Sequence, residues 1–199
     1  NHLIRRIATN GIVTLFAGRY VTTKAGYAQG GFSGDNGPAT NAQFNSPTAL
    51  QFDSGGNLFI QDYNNFRVRR IGTNGIVTTL AGNGLKEVAN TDGQLATSAA
   101  IGDLFGLGLD GSGVVHLVTC TEWKGYRVRK IGADGRLTIV AGRYPVYSES
   151  YSSGDGGPAT NATFSTIRAI TFNAQGEMFL GEDGRIRKVS SQAGGWKLT

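Results

Sequence analysis

Apolar residues recur along this chain in short runs, and glycine, asparagine, aspartate and serine punctuate the gaps between them. Within the runs the apolar positions alternate with polar ones or are rich in β-branched residues, which is the period of strands rather than of helices. Residues 48–82 show the pattern most regularly. Residues 48–53 read as a short strand, Ser54-Gly55-Gly56 as a turn and residues 57–62 as a second strand. Tyr63-Asn64-Asn65 turns the chain, residues 66–71 form a third strand, and Thr73-Asn74-Gly75 leads into a fourth at residues 76–81. Asn-Gly is a strong hairpin signal, because both residues accept the positive φ that a tight turn needs. Four strands joined by short turns predict an antiparallel meander, with Leu50, Phe52, Leu58, Ile60, Val68, Ile71, Val77 and Leu80 in its core.

The third-strand phrase occurs four times: Ile4-Arg5-Arg6-Ile7, Arg67-Val68-Arg69-Arg70-Ile71, Arg127-Val128-Arg129-Lys130-Ile131 and Arg185-Ile186-Arg187-Lys188-Val189. The first three copies are followed by a turn and a strand ending in Ala-Gly. A spacing of roughly 60 residues lies in the range of propellers and solenoids, and four-stranded meanders repeated in this way predict an all-β propeller. The chain divides into a half blade at 1–18 and blades at 47–82, 104–142 and 167–199. With both ends inside repeats, these about three and a half blades read as a fragment of a larger ring. The inner edge of residues 1–7 is expected to find no partner within the chain.

Long connections join the blades. Two share a phrase, Ser33-Gly34-Asp35-Asn36-Gly37-Pro38-Ala39-Thr40-Asn41-Ala42-Gln43-Phe44 and Ser153-Gly154-Asp155-Gly156-Gly157-Pro158-Ala159-Thr160-Asn161-Ala162-Thr163-Phe164, with a faded copy from Asp92 to Ile101. Pro38 and Pro158 suit the first turn of a short helix. Asp35 and Asp155 are placed to cap it, and Phe44, Ile101 and Phe164 to plug it onto a blade.

Charge changes this picture little. The net charge of +5 suggests nucleic acid, yet eleven of the 19 Lys and Arg lie in the four copies of the repeated strand. A residue demanded by every repeat serves the repeat first, so Arg69, Arg129 and Arg187 are read as structural. They are expected to occupy equivalent sites beside Asp62, Glu122 and Glu182. Cys120 is the single cysteine, which excludes an internal disulfide. No apolar run approaches the length of a membrane span.

Residues 57–62, Asn64-Asn65-Phe66-Arg67-Val68-Arg69, Thr78-Thr79-Leu80-Ala81-Gly82 and the linker phrase resemble the NHL-repeat family, in its long-linker variety. Thr119, standing where Asp62 does, departs from the pattern. The resemblance implies a propeller, often six-bladed, used mostly as a platform for protein, RNA or other polymer contacts. Some similar propellers are metalloenzymes with axial histidines and carboxylates.

Candidate chemistry is sparse. His116 aligns with Phe59 and Phe179 and reads as a packed or hydrogen-bonded histidine. His116, Cys120 and Glu122 straddle a strand end, a poor arrangement for a metal. No catalytic residue, metal site or cofactor is assigned. The expected function is a non-enzymatic interaction or structural module in an extracellular or cell-surface assembly, contacting proteins or further blades. Tyr63, Trp123, Tyr144, Tyr147 and Tyr151 in variable turns are the candidate contacts, and Asn161-Ala162-Thr163 is a candidate glycosylation sequon. The alternatives are a single-stranded RNA-binding propeller, and a hydrolase or lyase whose ligands lie in other blades.

Overall fold

The computed structural model describes residues 2–86, 92–120, 125–143, 152–192 and 195–199. It is all-β. The strands are β1 (Ile4–Ile7), β2 (Val13–Ala17), β3 (Gly37–Pro38), β4 (Pro47–Phe52), β5 (Leu58–Asp62), β6 (Arg67–Ile71), β7 (Ile76–Ala81), β8 (Asp103–Leu109), β9 (Val115–Cys120), β10 (Tyr126–Ile131), β11 (Leu137–Ala141), β12 (Ile167–Phe172), β13 (Met178–Glu182), β14 (Arg185–Gln192) and β15 (Gly195–Leu198). Among the described residues, helix is limited to one-turn 3-10 segments at Ala39–Asn41, Tyr63–Asn65 and Ala159–Asn161.

Three antiparallel meanders stand as blade-like sheets. They run β4-β5-β6-β7, with the two-residue β3 added beyond β7, then β8-β9-β10-β11 and β12-β13-β14-β15. β1 and β2 form a two-stranded sheet. Its register matches the third and fourth strands of the others, since Ile4 pairs with Ala17 as Val68 pairs with Ala81 and Val128 with Ala141. β1 pairs with β2 alone among the described strands, and β13 pairs with β12 and β14.

The core lies between sheets rather than within them. One apolar cluster joins Ile4 and Ala17 to Leu58, Ile60, Ile71 and Val77, with Phe44 inserted. A second joins Phe59 and Val68 to Leu104, Leu107 and Leu117 around Ile101. A third joins Val118 and Val128 to Ile170, Met178 and Leu180 around Phe164. Phe44, Ile101 and Phe164 are thus the plugs that the linker phrase predicts, all fully buried.

Each linker works as a staple between neighbours. Gly18 N–H donates to Ala39 O and Arg19 N–H to Ala42 O, while Ala39 N–H donates to Gly75 O across the next sheet's outer turn. The same pattern returns at Gly82 with Ala96 and at Gly142 with Ala159. The Ala-Gly ending of the strands follows from this crossing. Gly82 has φ +91°, and a side chain there would collide with the Phe66 carbonyl; Gly142, with φ +89°, faces the Tyr126 carbonyl in the same way.

The predicted core needs one correction. Leu58, Ile60, Val68, Ile71 and Val77 are buried and Leu80 is half-buried, but Leu50 is 46% exposed and Phe52 61% exposed. Their face of β4 looks toward the β1–β2 sheet, which carries no counterpart of a blade's first two strands among the described residues. Alternation encodes which face is apolar, not whether another sheet lies against it.

Candidate functional site

The polar network at the linkers is the most organised chemistry in the molecule. Arg69 projects from the middle of β6 and has no exposed side-chain surface. Its Nε and Nη2 donate to Asp35 Oδ1 at 3.0 and 2.7 Å, its Nη1 to Asp62 Oδ2 at 3.4 Å, and its Nη2 to Ser33 O at 3.2 Å. The guanidinium also lies over Phe44, 5.3 Å from the ring centroid. Arg187 repeats the arrangement on β14. Its Nε donates to Asp155 at 2.8 Å, its Nη1 to Glu182 at 3.3 Å and Thr163 O at 2.9 Å, and its Nη2 to Ser153 O at 2.7 Å. Arg129 holds the corresponding register position, opposite Leu117 as Arg69 is opposite Ile60 and Arg187 opposite Leu180, and is buried.

Asp35 therefore does not cap the 3-10 turn that follows it. That turn has no side-chain cap, and the carboxylate instead takes Arg69 and the Thr79 hydroxyl, the latter at 2.6 Å. The expectation failed because the turn is only three residues long and a buried guanidinium is the stronger donor. Asp92 in the faded linker stands at the same place, accepting the Ile139 N–H at 2.7 Å where Asp35 accepts the Thr79 hydroxyl. Asp62 is fully buried at the end of β5. Burial pushes its carboxyl above the usual carboxylate range, against the bonds donated by Asn45 N–H, Asn65 and Arg69. The network holds linker, second strand and third strand in one register, with Arg69, Asp62, Arg187 and Glu182 buried and the linker aspartates at its open side.

His116 lies on β9 at the boundary with β12–β15. It has no exposed surface. Its Nδ1 is 3.1 Å from Val114 O, its ring packs 4.7 Å from Phe172 and 6.3 Å from Trp196, and Nε2 meets no hydrogen-bond partner. Burial lowers its pKa from the ordinary histidine value. Cys120 is buried at the end of β9, and Glu122 lies outside the described residues. Among the described residues no cluster of three or more His, Cys, Asp or Glu could hold a metal.

Of the candidate contact aromatics, Tyr63 is half-buried in the 3-10 turn between β5 and β6, while Trp123, Tyr144, Tyr147 and Tyr151 lie outside the described residues. Asn161 is exposed on the last linker's 3-10 turn, with its carbonyl accepting from Arg143 Nε at 2.8 Å. The feature that sequence reasoning missed is the exposure of Leu50 and Phe52 on the face of β4 that looks toward the β1–β2 sheet. Ile7 and Val13, in register with Ile71 and Val77, are exposed on the other face of the β1–β2 sheet. A groove of ≈ 550 Å³ runs between Phe16, Pro38, Phe52, Ile71 and Ile76.

No family model matches the chain. Teneurin-1 of Mus musculus is 28% identical over 166 residues, which is 79% of this chain and 6% of that protein. Among solved structures, a structural genomics protein of unknown function from Bacteroides thetaiotaomicron superposes with a TM-score of 0.68 at 24% identity, over 100% of this chain and 43% of its own. An auxiliary nutrient binding protein from the same bacterium gives 0.55 at 17% identity, over 92% and 46%. A streptogramin B lyase gives 0.53 at 12%, over 100% and 47%. The chain spans less than half the length of these proteins. The solved structures are propeller-like, and this chain has their fold.

Proposed function

We propose that the chain is part of an NHL-type β-propeller acting as a non-enzymatic interaction scaffold, within a larger ring and an extracellular or cell-surface assembly. The observation that carries this reading is where the repeated charged residues spend their bonds. Arg69, Asp35 and Asp62, and again Arg187, Asp155 and Glu182, hold linkers to blades. This leaves the turns between strands, where the repeats differ, as the contact surface. Tyr63 is the described aromatic candidate, with Trp123, Tyr144, Tyr147 and Tyr151 as the others proposed from sequence. Phosphate recognition needs exposed cations, and Arg69 and Arg187 are no more than 2% exposed.

A titration of labelled single-stranded RNA at low salt tests the scaffold reading against the RNA reading. No saturable binding is expected. Saturable binding that weakens steeply with salt would contradict the proposal. The extracellular placement has its own test. Secretory expression in a eukaryotic cell should give a glycosidase-sensitive mass shift that Asn161→Gln abolishes, and an unmodified Asn161 would count against that placement.

A further inference from the structure

Between β2 and β3 the chain makes a small hairpin that belongs to none of the sheets. Thr22 bridges Ala28, Gln29 N–H donates to Val21 O and Thr23 N–H to Tyr27 O. The tip closes with Gly26 N–H on Thr23 O, and Gly26 takes φ +81°, the left-handed residue that a three-residue hairpin loop requires. A side chain built on Gly26 would meet nothing within 4 Å, so the tip stands in open space. The base is fixed. Arg19 N–H donates to Ala42 O, Gly31 N–H to Phe44 O, and Asn65 Nδ2 to Gly31 O.

The exposed side chains of this segment are aromatic and cationic. Tyr20, Tyr27 and Phe32 are 61%, 75% and 42% exposed. Because Thr22 lies opposite Ala28, Tyr20 and Lys24 share one face of the hairpin and Tyr27 stands on the other. The Arg67 guanidinium covers one side of Phe32, 3.7 Å from the ring centroid, and is itself held by Asn65 O and Asn83 O. The remaining ring surface is thus ordered before anything binds, which lowers the entropy cost of covering it. Arg19 and Lys24 are exposed as well. The Arg19 side chain donates to Gln43 Oε1 at 3.3 Å, and neither cation meets a carboxylate among the described residues. No Asp or Glu precedes Asp35 in the sequence, and Asp35 is taken by Arg69 and Thr79. The staple does not require this chemistry, since Asn83 stands in the place of Arg19 at the next linker and donates its N–H to Ala99 O.

We propose that this hairpin, with Phe32 at its base, docks an acidic segment of a partner protein, whose carboxylates meet Arg19 and Lys24 and whose apolar side chains cover the tyrosines. The proposal rests on the scaffold reading above and extends it from the turns between strands to a linker. Exposed rings of this kind are the usual anchors of protein interfaces, and the uncompensated positive charge selects the sign of the partner. A nucleic acid or a sulfated polysaccharide would draw its affinity from many ion contacts, whereas residues 19–32 hold only Arg19 and Lys24 as cations.

The test is fluorescence anisotropy, with the whole chain titrated into a labelled synthetic peptide of Glu, Gly and Leu. Saturable binding that weakens with salt is expected, and none to a matched peptide in which Lys replaces Glu. Arg19→Glu combined with Lys24→Glu should weaken binding about tenfold to a hundredfold, the range of a charge-assisted bond. Tyr20→Ser combined with Tyr27→Ser should weaken it about tenfold. All four side chains are exposed, so both double variants are expected to keep the native circular dichroism spectrum. Absent binding overturns the proposal, as does binding that neither double variant weakens. Tighter binding of heparin or of single-stranded RNA that depends on Arg19 and Lys24 also overturns it, because the partner class would then be wrong. A silent peptide beside a silent RNA titration sinks this proposal and leaves the scaffold reading intact, so the two fail separately.

Discussion

β4 and β12 are the same strand in two surroundings. Each follows a linker with its plug, Phe44 or Phe164, and each pairs with its neighbour in one register, Leu50 to Ile60 and Ile170 to Leu180. Yet Ile170 is 8% exposed and Leu50 46%. The difference is the strand that flanks them. β8 lays Gly106 and Gly108 against Ile170 and Phe172, whereas the β1–β2 sheet brings no such strand to Leu50 and Phe52. The third strands diverge in the same way. Val68 and Val128 are fully buried and Ile4 nearly so, but Ile186 at the equivalent position on the last sheet is 76% exposed. Burial in this architecture is therefore conferred by the neighbouring sheet and its linker. A sheet assembles its own hydrogen bonds but not its own core, as in other repeat folds.

The largest contrast is expected at the arginines. Arg69→Ala leaves the buried Asp62 carboxylate without its guanidinium and should cost about 3–5 kcal/mol. Arg5→Ala, at the same register position but exposed, should stay within about 0.5 kcal/mol. Urea denaturation of both variants measures the pair, and equal effects would show that the linker network does not set the stability of the repeat.

Next come the apolar positions. Ile170→Ala should cost about 2–5 kcal/mol by opening a cavity against β8. Leu50→Ala should cost under about 1 kcal/mol, because half of that side chain already faces solvent. A Leu50→Ala loss as large as that of Ile170→Ala would mean that β4 is covered in solution.

A smaller effect belongs to the boundary that carries a histidine. Where β5 and β13 have Phe59 and Phe179, β9 has His116, caged by Phe172 and Trp196 with Asp110 and Lys130 as the charged groups acting on it. Burial lowers its pKa in the folded state, so the unfolded chain takes up the proton first. Stability is then full above the ordinary histidine value of 6.5 and is lost as the pH falls from there toward the folded-state value. His116→Phe should flatten that part of the stability–pH curve, read from thermal melts across the acid range. An unchanged slope would assign the acid sensitivity to other groups.

Much of this architecture was legible because its signals are local. The four arginine phrases, the Asn-Gly turn at 74–75 and the Ala-Gly endings each report on a few adjacent residues, and repetition multiplied them. Asp35 was misread as a cap because its partner Arg69 lies 34 residues further on. Spacing along the chain does not reveal which distant donor a carboxylate meets. The exposure of Leu50 and Phe52 was hidden for a related reason, since a strand's alternation is the same whether or not another sheet covers it. Part of the candidate site could still be found from sequence. Ala49, Gly106 and Ala169 fall in register once the blades are aligned, and small residues at one strand position mark a close approach.

Backbone hydrogen exchange resolved along the isolated chain compares β1 with β6 directly. The account predicts that amides of residues 67–71 are protected throughout, while within residues 4–7 those turned away from β2 exchange at rates typical of unpaired backbone. Protection of β1 equal to that of β6, in a monomeric sample, would contradict the claim that this edge is open.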